Sequence, residues 1–370
     1  MRVLMVLCDW RLGGAETAAL EMTRALRGRC FVAVAAVRSG GSLRDEFAEA
    51  AAAVYGGLAR FPLDPLAPMR VASVIRRHAA DVVLIVDTAR NALRCGLVGA
   101  RMAGRNVETV CWCHSIPGGQ GGDVARRLRD HRRAGRLGRV IFLTESQRRA
   151  FLAGGVPVEE TSIVPNGIDL ARFENVASRE IGAPGDPLTV VQVANVMPDK
   201  DFRTLLAATG RLASARDDFR LVLVGRQTDS PEIAELIEAA GAGGRVEPAG
   251  PRRDIPALLG SADVFVLSTR SEVHSIATLE AMASGLPVVV SDIPAFDRLQ
   301  NGRDAVKVTP GDAEGLSSAL GRMFDSPGLR RALGQAASLH ARQYSLERSA
   351  EALLAVLRKA VPADATSARA

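Results

Sequence analysis

Short apolar segments alternate with amphipathic ones along the first 174 residues of the chain. The apolar segments are rich in Val, Ile, Leu and Ala, which is typical of strands buried on both faces of a parallel sheet. They lie at residues 2–8, 31–37, 81–86, 107–113 and 139–144. Helical periodicity lies between them, at residues 15–27, 43–53, 67–78, 90–103 and 146–153. This alternation predicts a doubly wound α/β domain over residues 1–174.

A second series of the same kind begins after the Gly- and Pro-rich segment 181–187. Its predicted strands lie at residues 188–194, 219–224, 245–249, 263–267 and 287–291. Its predicted helices lie at residues 201–214, 230–240, 254–260 and 276–284. We expect a second doubly wound domain over residues 175–345, a cleft between the two domains, and ligands at the carboxyl ends of the strands.

Two further helices are predicted at residues 327–342 and 346–361. The chain has 370 residues, of which 47% are hydrophobic, and this is enough for two such domains. The first apolar segment stops at Asp9, so it is interpreted as a strand and not as a secretory signal. No segment approaches the roughly 20 apolar residues of a membrane span. Together with five cysteines that fit reduced thiols, these features favour a cytoplasmic protein.

The positive charge of the chain is concentrated in its first half. Residues 1–174 hold 25 arginines against 17 acidic residues, whereas the remainder has a small negative balance. Much of the excess lies in the basic run 126–139, which is interpreted either as a solvated helix face or as a surface for an anionic acceptor or membrane. Few aromatic residues interleave with these charges, which disfavours nucleic acid.

Two glutamates, Glu272 and Glu280, are separated by seven residues at a predicted strand-to-helix junction. Glu272 lies in the loop after the strand, and Glu280 lies about one turn into the helix. The first amides of that helix have no carbonyl partner within the helix, which suits them to binding a phosphate. Two carboxylates beside an anion site match a nucleotide-sugar, with one for ribose hydroxyls and one for sugar hydroxyls.

Other motifs also lie where predicted strands end. Gly13 and Gly14 follow the first strand and open a helix, so the backbone is able to approach a ligand closely. His114 ends the strand 107–113. Neither Cys111, Cys113 and His114 nor Asp199-Lys200-Asp201 has the spacing and context of a metal site, so no metal and no cofactor are expected.

In their order along the chain these motifs resemble those of the family 4 retaining glycosyltransferases, and the resemblance extends over most of the sequence. They are RLGGAE (11–16), TVCWCHS (109–115), VVQVANVMPDKDF (190–202) and SEVHSIATLEAMASGLPVVVSD (271–292). The resemblance implies the GT-B fold, in which two Rossmann-like domains face each other across a cleft. It also implies that the last helix, 346–361, crosses back to the first domain.

The resemblance implies roles for the site residues. Lys200 would neutralise the leaving diphosphate, and His114 would face the donor sugar. The family usually has Gly-Arg ahead of this lysine, but here the sequence has Ala194-Asn195, and Arg226 after the next strand is a candidate to replace the arginine. The other implied donor contacts are Glu272 and His274 for the sugar, Glu280 for the ribose, Ala249 and Arg252 for the base, and the amides of Ser275, Ile276, Ala277, Thr278 and Leu279 for the phosphates.

The sequence therefore predicts a retaining transferase that moves a hexosyl group from a nucleotide-diphosphate sugar, with a UDP-sugar favoured, to a saccharide, lipid-linked or small-molecule acceptor. Two alternatives stay open. One is a relative that binds a nucleotide-sugar or glycan without catalysis, because Asn195 replaces the usual arginine. The other is a sugar-nucleotide epimerase or a phosphorylase of the same fold.

Overall fold

The computed structural model describes residues 1–86, 89–104, 106–117, 124–156, 161–174 and 187–361. The chain divides into two compact units. Unit 1 consists of Met1–Gly167 and the segment that begins at Leu346, and unit 2 is Ile168–Ser345. The predicted link at 181–187 lies outside the described residues except for Pro187.

Unit 1 is built on a parallel sheet that has seven strands within the described residues. The strands are β1 (Arg2–Leu7), β2 (Phe31–Ala36), β3 (Ala53–Tyr55), β4 (Val82–Val86), β5 (Glu108–Trp112), β6 (Arg139–Phe142) and β7 (Thr161–Ile163). Their order across the sheet is β3-β2-β1-β4-β5-β6-β7. Because chain order reverses beside β1, this is the doubly wound arrangement, and the loops after β1 and β4 lie at its switch point.

Helices pack on this sheet, as the alternation predicts. They are α1 (Gly14–Leu26), α2 (Arg44–Ala50), α3 (Ala67–His78), α4 (Arg90–Met102), α5 (Val124–Arg133) and α6 (Glu145–Ala153). The centres of β1 and β4 are completely buried, and α3 and α4 pack closely together because Gly99 lies against Val71. Helix α5 is formed by the first part of the basic run.

Unit 2 repeats the plan with a sheet that has six strands within the described residues. The strands are β8 (Leu188–Val193), β9 (Phe219–Val224), β10 (Val246–Gly250), β11 (Val264–Leu267), β12 (Val288–Ser291) and β13 (Val306–Val308). Their order is β10-β9-β8-β11-β12-β13, and every described pair is parallel. The switch point therefore lies between β8 and β11.

Five of the seven described α-helices of unit 2 begin at polar side chains that accept a hydrogen bond from an amide of the first turn. They are α7 (Ala171–Glu174), α8 (Phe202–Ala213), α9 (Pro231–Ala239), α10 (Ile255–Gly260), α11 (Ile276–Ala283), α12 (Ala313–Asp325) and α13 (Pro327–Ala341). Side-chain caps are provided by Asp201, Ser230, Ser275, Asp312 and Ser326. Each such cap stabilises its helix by about 1 kcal/mol.

The last helix, α14 (Leu346–Ala360), belongs to unit 1 and packs against α1. The units divide at Gly167/Ile168, a few residues before the boundary at 174 that the sequence suggests. The reason is the short helix α7, which contacts α10 and α11 and is therefore part of unit 2.

A buried carboxylate organises the loop between β3 and α3. The side chain of Asp64 is 2% exposed and accepts hydrogen bonds from the Arg60 and Leu66 amides, both at 2.9 Å, and from the Arg70 guanidinium at 2.8 Å. The bond from the Arg60 amide, followed by that from the Arg70 side chain, lowers the pKa of Asp64 to about 2. The charged form of Asp64 therefore holds this loop together.

We expect Asp64→Asn to reduce the acid sensitivity of unit 1. A carboxyl whose pKa is lowered by folding stabilises the protein above its unfolded value of about 3.9, and this stabilisation is lost as pH falls toward 2. Between pH 5 and pH 2 the melting temperature of the wild type should therefore fall further than that of Asp64→Asn. Asp45→Asn, at a side chain that is 93% exposed, is the matched control and should follow the wild type.

Candidate active site

An ion pair joins two loops at the carboxyl edge of the unit 2 sheet. The Lys200 ammonium bonds the Glu272 carboxylate, and the two side chains are 17% and 20% exposed. Lys200 lies between β8 and α8, and Glu272 lies between β11 and α11. Because β8 and β11 are neighbours in the sheet, two residues 72 positions apart in sequence meet at the switch point.

Backbone pairing fixes the position of this ion pair. Lys200 lies opposite Thr269 in an isolated antiparallel bridge. On one side the Arg270 amide donates to the Asp199 carbonyl at 2.8 Å, and on the other the Asp201 amide donates to the Ser268 carbonyl at 3.0 Å. The two loops therefore form one rigid element, and the Lys200 ammonium is held where the loops end.

Two buried polar side chains from neighbouring strands hold the turn after β11. The Ser268 amide donates to Oε1 of Gln192 at 3.0 Å, and the Thr269 amide donates to Oγ of Ser291 at 2.9 Å. Gln192 in β8 is completely buried, and Ser291 ends β12. Neither residue was predicted from the sequence, although a glutamine inside the apolar segment VVQV is a signal that points to one of them.

The N-terminus of α11 offers fewer free amides than the sequence suggests. The Thr278 amide donates to Oγ of Ser275 at 3.2 Å, and the Leu279 amide donates to the Ser275 carbonyl at 3.2 Å. In this structure the amides of Thr278 and Leu279 are therefore bonded within the helix, and their role as phosphate donors stays a prediction. Helix geometry leaves the amides of Ile276 and Ala277, next to Ser275, without a carbonyl partner within the helix.

His274 stands between Glu272 and the start of α11, and an aromatic column supports it. Its ring centroid lies 4.9 Å from that of Tyr344, which in turn stacks on His340 at 5.6 Å. Nδ1 of His340 lies 3.1 Å from Oδ2 of Asp304. Because Tyr344 is buried, this column holds the His274 ring in place from within unit 2. Glu280 lies farther along α11 and is half-buried.

The Asn195 side chain has a local role that the sequence did not reveal. Its Oδ1 accepts a hydrogen bond from the Arg226 amide at 2.9 Å, which ties the loop after β8 to the loop after β9. The backbone between them is tight, because a Cβ on Gly225 would lie 2.1 Å from the Ala194 carbonyl oxygen. The Arg226 side chain itself is exposed.

The residues predicted to frame the base lie at the end of β10. Ala249 is half-buried there, and Arg252 follows in an exposed loop. The Arg252 guanidinium donates to Oδ1 of Asp254 at 2.8 Å, and this bond raises the pKa of Arg252. An exposed pair of this kind contributes little to stability.

In unit 1, Gly13 and Gly14 form the start of α1 directly after β1. Gly13 caps the helix with an extended backbone, and a Cβ on Gly14 would meet nothing within 4 Å. The fold itself therefore does not require glycine at position 14, which leaves that surface bare for a ligand. The Glu16 carboxylate already lies near this helix end, 2.7 Å from where a Cβ of residue 13 would be.

His114 follows β5 at the same edge of the unit 1 sheet and is held from both sides. Nε2 of Gln147 donates to the carbonyls of Cys113 and Ser115, at 2.9 and 2.7 Å. The His114 ring meets the buried Trp112 edge to face, with centroids 4.6 Å apart. Gln147 is 4% exposed, lies in α6 and was not identified from the sequence.

Part of the basic run has a structural role. Arg129 donates to the Gly154 carbonyl at 3.1 Å, and Arg132 donates to the carbonyls of Leu137 and Gly138. These side chains hold the turns that follow α5 and α6, so the run is only partly a solvated helix face.

The described residues contain neither a cluster suited to a metal ion nor a helix suited to a bilayer. No group of three or more His, Cys, Asp or Glu residues in that part of the chain is arranged to hold a metal ion. None of the described helices combines the length and the apolar character needed to cross a membrane.

Comparison with known families identifies the chain. The family described as Glycosyltransferase Family 4 matches residues 12–172, and the one described as Glycosyl transferases group 1 matches residues 187–326. The two matches together include Gly13, His114, Lys200, Glu272 and Glu280. The chain belongs to glycosyltransferase family 4.

Curated family 4 relatives cover different shares of the chain. The lipopolysaccharide core biosynthesis glycosyltransferase LpsE of Rhizobium meliloti is 26% identical over 336 residues, which are 87% of this chain and 89% of that protein. The D-inositol 3-phosphate glycosyltransferase of Acidothermus cellulolyticus is 28% identical over 241 residues, which are 61% of this chain and 53% of that protein. The matched stretch spans about half the length of the D-inositol 3-phosphate relatives.

Solved structures show the fold. Anabaena HepE in complex with UDP-glucose superimposes with a TM-score of 0.84 at 20% identity, over 97% of this chain and all of that one. The predicted GT-B fold is confirmed: this family 4 chain has two parallel-sheet α/β units. Within unit 2 the structure brings together Lys200, Glu272, His274 and the start of α11, whereas Gly13, Gly14 and His114 share the carboxyl edge of unit 1.

Proposed function

We propose that the protein is a retaining glycosyltransferase that moves a hexosyl group from a nucleotide-diphosphate sugar, with a UDP-sugar favoured, to an acceptor hydroxyl. The observation that carries the proposal is the Lys200–Glu272 ion pair beside the amides of Ile276 and Ala277. A cation and a helix N-terminus together suit a diphosphate, and the two flanking glutamates suit hydroxyls. The complex of Anabaena HepE with UDP-glucose supports the choice of donor.

In this proposal each group has one role. The diphosphate displaces Glu272 from Lys200, and the freed carboxylate accepts hydrogen bonds from sugar hydroxyls. Glu280 binds the ribose, and His274 and His114 line the sugar. The exposed Arg226 supplies the second positive charge that Asn195 does not, and backbone near Ala249 and Arg252 contacts the base.

The proposed chemistry is transfer on the front face of the sugar. The bond to the leaving diphosphate breaks through an oxocarbenium-like state, and a departing phosphate oxygen takes the proton of the acceptor hydroxyl. Rate acceleration then comes from positioning and from preorganised positive charge at Lys200 and the α11 amides. No metal ion is needed for this step, because Lys200 and the amides neutralise the leaving group.

The acceptor is proposed to be a saccharide or a lipid-linked saccharide. The relative LpsE acts in lipopolysaccharide core biosynthesis, which supports an acceptor of this class. Transfer to a saccharide or to a small-molecule acceptor is measured by incubating the protein with donor and acceptor and identifying the product by mass spectrometry.

We expect one nucleotide-sugar among UDP-, GDP-, ADP- and dTDP-sugars to raise the melting temperature of the purified protein. A donor at a hundred times its Kd adds about 2.7 kcal/mol of stability, which is easily measured. Glu280→Ala should abolish this shift because the ribose hydroxyls lose their acceptor. Glu235→Ala, at an exposed position of helix α9, is the matched control and should keep it. Stabilisation of both variants by the same donor would contradict the role of Glu280.

The bonding of Asn195 favours one alternative specifically, a relative that binds the donor without transferring it. The amide of Asn195 carries no charge, and its Oδ1 is already occupied by the Arg226 amide. Donor binding without transfer or hydrolysis in the presence of acceptors would support this alternative. Release of an epimerised nucleotide-sugar without acceptor would instead identify an epimerase.

A further inference from the structure

The loop after β9 lies between the two parts of unit 2 that would hold the diphosphate and the base of a donor. Since β9 lies between β8 and β10 in the sheet, its loop lies between the loop that carries Lys200 and the end of β10. On the β8 side the Val196 amide donates to the Arg226 carbonyl at 3.0 Å, and on the β10 side the Gly225 amide donates to the Gly250 carbonyl at 2.9 Å. A nucleotide that extends from Lys200 to the end of β10 therefore passes this loop.

A buried threonine fixes the shape of the loop. Thr228 is completely buried, and its hydroxyl donates to the Gly225 carbonyl at 2.9 Å and accepts from the Gly250 amide at 3.1 Å. The neighbours of Thr228 on either side are Gln227 and Asp229, and both are exposed. Their backbone is therefore held in place while their side chains face solvent at the carboxyl edge of the sheet.

Gln227 has a backbone conformation that residues with a side chain rarely adopt. Its φ is 65°, in the left-handed region where glycine is free of strain. The glutamine side chain forms no hydrogen bond with any part of the chain that the structure describes. A side chain that costs backbone strain and contributes no contact to the fold is typical of a ligand site.

The Asp229 carboxylate lies against the end of β10. Its Oδ2 is 2.9 Å from where a Cβ of Gly250 would be, so the carboxylate is close to the bare backbone of that glycine. Just before Gly250 the pairing of β9 with β10 shifts register at Ala249, and such irregularities are frequent beside ligand sites. Among the described residues none forms an ion pair or a hydrogen bond with this carboxylate. An uncommitted carboxylate therefore lies beside the backbone that would frame the base.

We propose, on the basis of the donor binding proposed above, that Gln227 and Asp229 select the base of the donor nucleotide. The Asp229 carboxylate only accepts hydrogen bonds, so it takes one from a ring N–H, and the Gln227 amide donates to the carbonyl next to that N–H. Uracil has this pair of groups. Cytosine has the same size and shape, but at the same two places it has an unprotonated ring nitrogen and an amino group. The carboxylate would face the lone pair of that nitrogen, so the pair favours UDP over CDP.

The test is the binding of free UDP and CDP to the full chain by calorimetry, without acceptor, so that it does not depend on transfer. The wild type should bind UDP about tenfold more tightly than CDP, or by a larger factor. Asp229→Asn should weaken the binding of UDP and strengthen that of CDP, because the asparagine amide donates an N–H to the ring nitrogen of cytosine. The ratio of the two affinities should therefore fall about tenfold or more in this variant.

Gln227→Gly separates base selection from folding. Glycine adopts a φ of 65° without strain, so the melting temperature of this variant should be no lower than that of the wild type. The ratio of UDP to CDP affinity should nevertheless fall about fivefold, because the donor to the uracil carbonyl is gone. A folded variant with a changed ratio cannot owe that change to a damaged loop.

Asp217→Asn is the matched control. Asp217 is an exposed aspartate that precedes β9, so it lies at the opposite edge of the same sheet, and its replacement should keep the wild-type ratio. If the wild type binds UDP but Asp229→Asn and Gln227→Gly both keep its ratio, the selection of the base by these residues is wrong and the donor site stands. If the wild type binds no nucleoside diphosphate, the proposed donor site is wrong as well.

Discussion

Lys200→Ala is expected to lower kcat for sugar transfer by about a hundredfold to a thousandfold, the range found when one preorganised stabilising group is removed from an active site. The substitution acts twice. It removes the cation that meets the leaving diphosphate, and it leaves the Glu272 carboxylate, 20% exposed, facing that diphosphate with no counter-charge from Lys200. Donor affinity should therefore fall as well. Steady-state kinetics with the donor identified by thermal shift measure both effects.

A double variant separates the two contributions. In Lys200→Ala/Glu272→Gln the repelling charge is gone, so donor affinity should recover partly, whereas kcat should stay low because the stabilising cation is still missing. Lys307→Ala is the matched control, since Lys307 also lies in unit 2 in an ion pair, 3.4 Å from Asp292. If Lys200→Ala and Lys307→Ala had the same kcat as the wild type, Lys200 would have no role in the reaction.

Gly225→Ala is expected to destabilise the protein by about 3 kcal/mol or more. Gly225 has a φ of 143°, which an alanine adopts only under strain, and its Cβ would lie 2.1 Å from the Ala194 carbonyl oxygen. The chain must move at Ala194 to relieve the clash, and that movement breaks the bond between Asn195 and the Arg226 amide. Thermal unfolding measures the loss, and donor binding should weaken in the molecules that still fold.

The control for this prediction is Gly243→Ala. Gly243 lies in an exposed turn of the same unit, and a Cβ there would meet nothing within 4 Å. The melting temperature of Gly243→Ala should therefore be close to that of the wild type. If Gly225→Ala melted at the same temperature as Gly243→Ala, the loops after β8 and β9 would not be tightly joined.

Most of the longer elements were predicted from the sequence because their periodicity is strong, but the 13-residue helix α12 was not predicted. The predicted helix 67–78 has the bounds of α3, helped by Pro68 in its first turn, and the central strands agree within a residue or two. The three-residue strands β3, β7 and β13 were not predicted either. Each of them lies at the edge of its sheet, β3 and β7 in unit 1 and β13 in unit 2. A segment of three residues has no measurable period, and pairing with a neighbouring strand decides its conformation.

The site was predictable residue by residue but not as a geometry. The motifs indicated Lys200 and Glu272 separately, yet only the adjacency of β8 and β11 shows that they form an ion pair. Gln192, Ser291 and Gln147 hold backbone groups rather than ligands, and no local pattern marks a side chain that serves a distant loop. The bond from the Thr278 amide to Ser275 is different, because a serine at the start of a helix is a common cap and is a local signal.

The two places where the chain passes between the units lie next to each other. The Ile168 amide donates to the Tyr344 carbonyl at 3.0 Å, so unit 2 begins and ends at one hydrogen-bonded point. A segment whose ends already meet is exchangeable as a cassette, because replacing it does not require the flanking chain to close a new gap. Residues 168–345 are thus a natural unit for building chimaeras, which under the proposed function would carry a new donor preference on an unchanged unit 1.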